Sequence, residues 1–170
     1  MNDIIKYKPI GYVRNEHSDE VVRTSWRGVK ARIEVLPDYV EGLKGLEEFS
    51  HIIVVAHLHK AEGKDFRKVF KPKGFLKVGI KEEELPEVGV FCTASPLRPN
   101  PIAVTIMRLV KVEGNILYVD HCDLYDGTPV LDIKPMTPSR CPEEIKLPRW
   151  LVELREKALE RSNVDIFRYG

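Results

Sequence analysis

No apolar run in this 170-residue chain approaches the roughly 20 residues that a helix needs to cross a bilayer. The stretch Met1–Lys6 also lacks the long apolar core of a signal peptide. Charge of one sign is missing as well: 27 Lys+Arg stand against 26 Asp+Glu, a net charge of +1, so any basic surface for nucleic acid must be local. Cysteine is scarce and odd in number. Cys92, Cys122 and Cys141 have no CxxC spacing, which argues against a disulfide framework and against a zinc ribbon. These absences point to a cytoplasmic protein with reduced thiols and no membrane partner. His51, His57 and His59 share one strand face, yet even with His121 or a cysteine they show no recognised ligand spacing, so no metal is expected. There is no Gly-x-Ser-x-Gly elbow. Ser50 and His51, as strand neighbours, are expected to point apart, which argues against a serine hydrolase.

No internal repeat or βα alternation is present, and the length suits one domain. Lys8–Val13 and Lys30–Leu36 read as short strands, the second alternating with period two, and Asn15–Gly28 reads as a charged loop between them. Asp38–Glu47, with its paired glycines, reads as a short helical turn. His51–His59 is nearly continuous and β-branched, the pattern of a central strand covered on both faces. Lys60–Glu87 reads as an insertion or flexible loop with a possible short strand near Phe75–Ile80. Val88–Thr93 predicts a strand, and Ile102–Val112 and Ile116–Cys122 predict a hairpin turning at Glu113-Gly114-Asn115. The class expected is mainly β, an antiparallel barrel over residues 1–138. Residues 139–170 are expected to form an extension whose helix, Pro148–Arg161, carries Trp150, Leu151, Leu154, Ala158 and Leu159 on one stripe. That stripe would pack on the barrel, or else meet a dimer partner or the substrate.

Two segments carry the chemistry. In Gly89–Ile102, Pro96, Pro99 and Pro101 fix φ and withhold three N–H groups, so the chain there is a stiff loop that holds Ser95, Arg98 and Asn100 at little entropic cost. In Asp123–Pro135, the turn Asp126-Gly127 leads at once into strand-like Val130–Ile133, which gathers Asp123, Asp126, Thr128, Asp132 and Lys134 around a strand end.

With Ile10-Gly-Tyr-Val-Arg14 and Gly45-Leu-Glu-Glu-Phe-Ser-His51, these segments resemble the TrmO/TsaA-type family of S-adenosylmethionine-dependent tRNA methyltransferases, from about Ile10 to Pro138. The resemblance implies a small β-barrel methyltransferase, unrelated to the Rossmann-like kind, that works as a homodimer. It implies methyl transfer to N6 of threonylcarbamoyl-adenosine beside the anticodon of threonine tRNA. By the same resemblance the cofactor pocket takes Arg23 and Thr24, His59 and Lys60, Ala94 and Ser95, Val104, and Cys122, Asp123, Leu124 and Tyr125. Three departures stand out: Val22-Arg23-Thr24 replaces Pro-Arg-Gln, Ala94 replaces an arginine, and Ile102-Ala103 replaces Ile-Gly.

On that substrate, N6 belongs to a urea and its N–H must be polarised or removed, a task for a carboxylate: Asp126 first, Asp132 second. The threonyl carboxylate calls for a cation, Arg98 or Lys134, and Asn100 completes the catalytic set with the loop. The alternatives are a barrel that binds tRNA or another ligand without turnover, and a methyltransferase for a different substrate.

Overall fold

Alternating apolar side chains turn six antiparallel strands into a closed barrel. In this computed structural model, which describes residues 4–168, the strands are β1 (Gly11–Arg14), β2 (Val29–Val35), β3 (His51–His57), β6 (Ile102–Glu113), β7 (Ile116–Cys122) and β8 (Pro129–Pro135). The first three residues of Met1–Lys6 therefore lie outside the described residues. The order around the barrel is β1-β2-β7-β6-β3-β8. Val13, Ile33, Val35, Ile52, Val54, Met107, Leu117, Val119 and Val130 point inward and form one core. Each such burial contributes about 1.5–3 kcal/mol, so a one-residue slip, which would turn a whole row to solvent, is strongly disfavoured. The mainly β class, the barrel and the C-terminal helix are those predicted from sequence. The β6–β7 hairpin turns at Gly114, whose φ of 58° suits glycine.

Several local expectations change. The charged loop before β2 contains helix α1 (Asp19–Thr24), started by Ser18, whose hydroxyl accepts from the Val21 N–H. β3 buries alternate residues only, so its near-continuous apolar run is half core and half outer face. Phe75–Ile80 is not a strand: Lys73–Val78 is a 3-10 turn, entered from Pro72 and closed at Gly79, whose φ is 81°. Of Val88–Thr93 only β5 (Val88–Gly89) forms a strand, paired with β4 (Val69–Phe70), and a 3-10 turn over Val90–Cys92 follows. Ser50 precedes β3 and so escapes strand alternation; its hydroxyl lies 2.9 Å from His51 Nδ1, against the sequence expectation.

Residues 60–87 have a core of their own. Val78, Ile80 and Leu85 pack against Leu154 and Ala158 of helix α2 (Arg149–Ser162), with Trp26, Phe75 and Trp150 at the margin. Glu84 binds Arg161 at 2.5 Å and Lys157 at 3.0 Å, clasping the same helix. One glycine fixes how α1 meets the barrel. Gly28, at φ 75°, comes so close to the end of β7 that a Cβ would stand 2.6 Å from the His121 carbonyl carbon. His121 itself has a φ of 65°, so the chain turns sharply there into Cys122 and Asp123. Residues just before Gly28 are thereby held beside Asp123.

Candidate active site

The proline loop and the segment leaving β7 line a common cleft of about 680 Å3, with Thr93–Leu97, Trp26, Lys77, Asp123 and Trp150 among its walls. The loop is held by its own polar groups. The Thr93 hydroxyl donates to the Val90 carbonyl at 3.0 Å, and the Ser95 hydroxyl accepts from the Leu97 N–H at 3.3 Å. Arg98 donates to the Thr93 carbonyl at 3.1 Å, so its guanidinium stitches the loop from behind. Asn100 is exposed, and its backbone carbonyl accepts from the Ile102 N–H at 2.8 Å. The loop thus presents Ala94 and Ser95 to the cleft.

Asp123 is the carboxylate on the cleft. Its side chain is open to solvent on one side but walled by protein on the others, and this crowding raises its pKa above the ordinary carboxylate value. A hydrogen bond from the Thr105 hydroxyl and the charge of Lys77 pull the other way. Lys77 is depressed in turn, chiefly by burial, with Asp123 opposing. Thr105 lies on the inward row of β6, so this contact ties Asp123 to the mouth of the barrel.

Next to Asp123 the chain meets α1 and the end of β3. Lys60 lies 4.9 Å from the Tyr125 ring centroid and pairs with Asp19 of α1. Arg23 binds Glu20 at 2.5 Å, with Tyr125 and Lys77 near enough for their charges to interact with it. The Thr24 hydroxyl turns back to the Glu20 carbonyl at 2.8 Å. His59 is lowered below its ordinary pKa, first by burial and then by Lys60, so its ring is neutral at pH 7. Its Nδ1 is buried without a hydrogen-bond partner, which fits a site completed by a polar ligand. Cys122 and Leu124 are buried core residues that fix the segment from below, and burial pushes the Cys122 thiol up to about 12.

The remaining sequence candidates lie elsewhere. Asp126 borders a separate recess with Arg14, Asn15 and Arg32, where its carboxylate accepts from the Asn15 N–H at 3.0 Å. Asp132 and Lys134 pair with each other at 2.6 Å on the outer face of β8. Val104, 69% exposed, shares that outer face with Val55 and Asp132. Sequence reasoning did not single out Lys77, Thr105 and Trp26 as site residues, and it placed Trp150 on a stripe that packs its own domain or meets a dimer partner or substrate. No motif marks them, since residues distant in sequence meet here only through the fold.

The profile of the tRNA-methyltransferase O N-terminal domain family matches residues 22–140. The chain belongs to that family. A probable S-adenosyl-L-methionine-binding protein of Pyrococcus abyssi is 40% identical over 95% of this chain and 84% of its own length. A Mus musculus protein described as tRNA (adenine(37)-N6)-methyltransferase is 35% identical over 75% of this chain. This chain spans only 30% of the mouse protein. A crystal structure of TrmO matches with a TM-score of 0.64 and 29% identity, over 85% of this chain and 64% of that one. Every candidate residue discussed up to Lys134 falls within the tRNA-methyltransferase O match, whereas Trp150 lies beyond it.

Proposed function

We propose that this chain is an S-adenosylmethionine-dependent methyltransferase acting on N6 of an adenine in tRNA, and that the acceptor is threonylcarbamoyl-adenosine beside the anticodon. One observation carries the reading within the family. Three family-type cofactor residues, Ala94 and Ser95 of the proline loop and Asp123 after β7, line one cleft, and two residues on from Asp123 the Tyr125 ring carries Lys60 from the end of β3, which pairs with Asp19 of α1.

The bound cofactor supplies an activated methyl group with its own leaving group, so the protein's tasks are positioning, water exclusion and proton handling. Asp123 and the unpartnered Nδ1 of His59 are the polar groups suited to hold it, with Lys60 and Arg23 flanking them. The raised pKa of Asp123 also suits a carboxylate that accepts a hydrogen bond from an N–H in a crowded cleft. Arg98 is engaged by loop carbonyls and Lys134 by Asp132, so the threonyl carboxylate is assigned to Lys77, the cleft cation whose charge acts on Asp123.

The test is calorimetric titration with S-adenosylmethionine followed by transfer of labelled methyl to tRNA that does or does not carry the threonylcarbamoyl group. We expect binding, and transfer that favours the modified tRNA. Asp123→Asn should cut transfer at least about tenfold, roughly 1.4 kcal/mol of transition-state stabilisation. Lys77→Met should erode the preference between the two tRNAs. Binding without any transfer would reduce the protein to a binding barrel, and equal use of both tRNAs would remove the threonylcarbamoyl group from the assignment.

A further inference from the structure

Both tryptophans of the chain, Trp26 and Trp150, line the same cleft. They flank Phe75: the Trp26 and Phe75 centroids are 5.8 Å apart, and the Phe75 and Trp150 centroids are 6.3 Å apart at an interplanar angle of 81°. One ring follows α1, one lies in the 3-10 turn, and one opens α2. All three are only partly buried, so each keeps surface available. Arg67 and Lys71 stand on the same walls. The Arg67 N–H donates to the Leu97 carbonyl at 3.2 Å, which fixes its backbone against the proline loop. The Lys71 ammonium donates to the Glu82 carbonyl at 3.3 Å, and its charge also acts on the Glu82 carboxylate, which takes Lys73 as its closer partner at 2.7 Å.

We infer that this aromatic and cationic end of the cleft seats single-stranded RNA, with a base stacked on the Trp26–Phe75–Trp150 row and two neighbouring phosphates held, one each, by Arg67 and Lys71. The inference rests on the tRNA reading above and names the part of the site that grips the strand. Base faces stack on aromatic rings whatever their sequence, and cations beside such rings follow the backbone. The cofactor is the competing occupant. It carries a sulfonium and an ammonium against a single carboxylate, so Arg67 and Lys71 repel it while they attract a polyanion. Trp150 also gives α2, which lies outside the family match, a role in reading RNA.

With its only two tryptophans at the site, the intact protein reports on this directly. Saturated with S-adenosylmethionine, it is titrated with a single-stranded RNA of anticodon-loop length while tryptophan emission is followed. We expect quenching that saturates and that weakens with salt at a log-log slope of about −1.4, the value for two phosphates on a single strand. Arg67→Ala should lower that slope by about 0.7. Trp150→Ala should weaken RNA binding at least about fivefold, measured by fluorescence anisotropy of labelled RNA, and weaken it more than cofactor binding. Because Trp150 also packs on the second core, Arg67→Ala/Lys71→Ala, confined to side chains at the cleft wall, serves as a second variant that spares packing. Quenching by S-adenosylmethionine alone to the same extent would place the cofactor's adenine on the rings and overturn the inference. So would methyl transfer to tRNA that is intact in all these variants. Conversely, RNA quenching without cofactor binding or transfer would sink the proposed activity and leave this RNA site standing.

Discussion

Cys122 differs in kind from the other two cysteines. It is buried beneath the cleft and its thiol is pushed from an ordinary value of 9.0 up to about 12, whereas Cys92 and Cys141 are exposed. A thiol reacts as the thiolate, so native protein treated with iodoacetamide at pH 8 should carry label on Cys92 and Cys141 and none on Cys122. Mass spectrometry of the digested protein checks this, and label on Cys122 in folded protein would mean that the strand end opens. The sign for stability follows from the same shift. Burial of the neutral thiol stabilises the fold fully below about pH 9, and that contribution declines as pH rises toward about 12. At this scale the sequence marked some positions and not their use. Ser95 and Asp123 were legible because the proline loop and the strand end are local features, and Ala94 through the family resemblance. Asp126 was legible as a turn residue, but its partner is the distant Asn15 N–H, which no local pattern announces. Thr105 bonds Asp123, and Lys77 acts on it by charge, only because the barrel mouth and the 3-10 turn are brought together.

Helix α2 is held by charge from its middle to its C-terminal end. Asp165, just beyond its end, accepts from Nε and Nη2 of Arg155, each at 2.7 Å, and this pairing lowers its carboxyl from 3.8 to about 2. Glu84 is likewise held well below the ordinary carboxylate range, first by Arg161, then by the Lys81 N–H and Lys157. For a depressed carboxylate the stabilisation is present above the unfolded pKa and lost as pH falls through the folded one. Far-UV circular dichroism should therefore show helix loss setting in below about pH 4, and Arg155→Ala should flatten the Asp165 part of that step, between 3.8 and about 2. An unchanged acid profile in the variant would show that the pair does not hold the helix. The elements themselves were unevenly legible. Strands β2, β6, β7 and β8 announce themselves by alternation or by turn residues, and α2 by its stripe. The six residues of α1 were too few for a periodic signal, and the 3-10 turn of residues 73–78 carries apolar residues at a spacing that also suits a strand.

The barrel leaves one outer wall poorly dressed for water. Ile102 and Val104 of β6 are 36% and 69% exposed, and Ile53 and Val55 lie opposite Ile106 and Val104 on β3. A second copy covering this wall would place Val104 at a subunit boundary, in keeping with the homodimer expected from the family resemblance. Sedimentation velocity at micromolar concentration should find a dimer, and Val104→Glu should shift it to monomer while the barrel stays folded. A dimer that persists in the variant would move the interface elsewhere. Barrel topology was legible only as a class, since strand order depends on pairings between distant segments that no local pattern encodes. That order also has a consequence for synthesis. β2 waits for β7, and β3 for β6 and β8, so on the ribosome both strands emerge long before the neighbours that will cover their edges. β2 meets the wait with Lys30, Arg32 and Glu34 along its solvent row, a charged border that discourages one nascent chain from joining another. β3 offers Ile53 and Val55 instead, which makes it the strand where crowded polysomes invite misassembly.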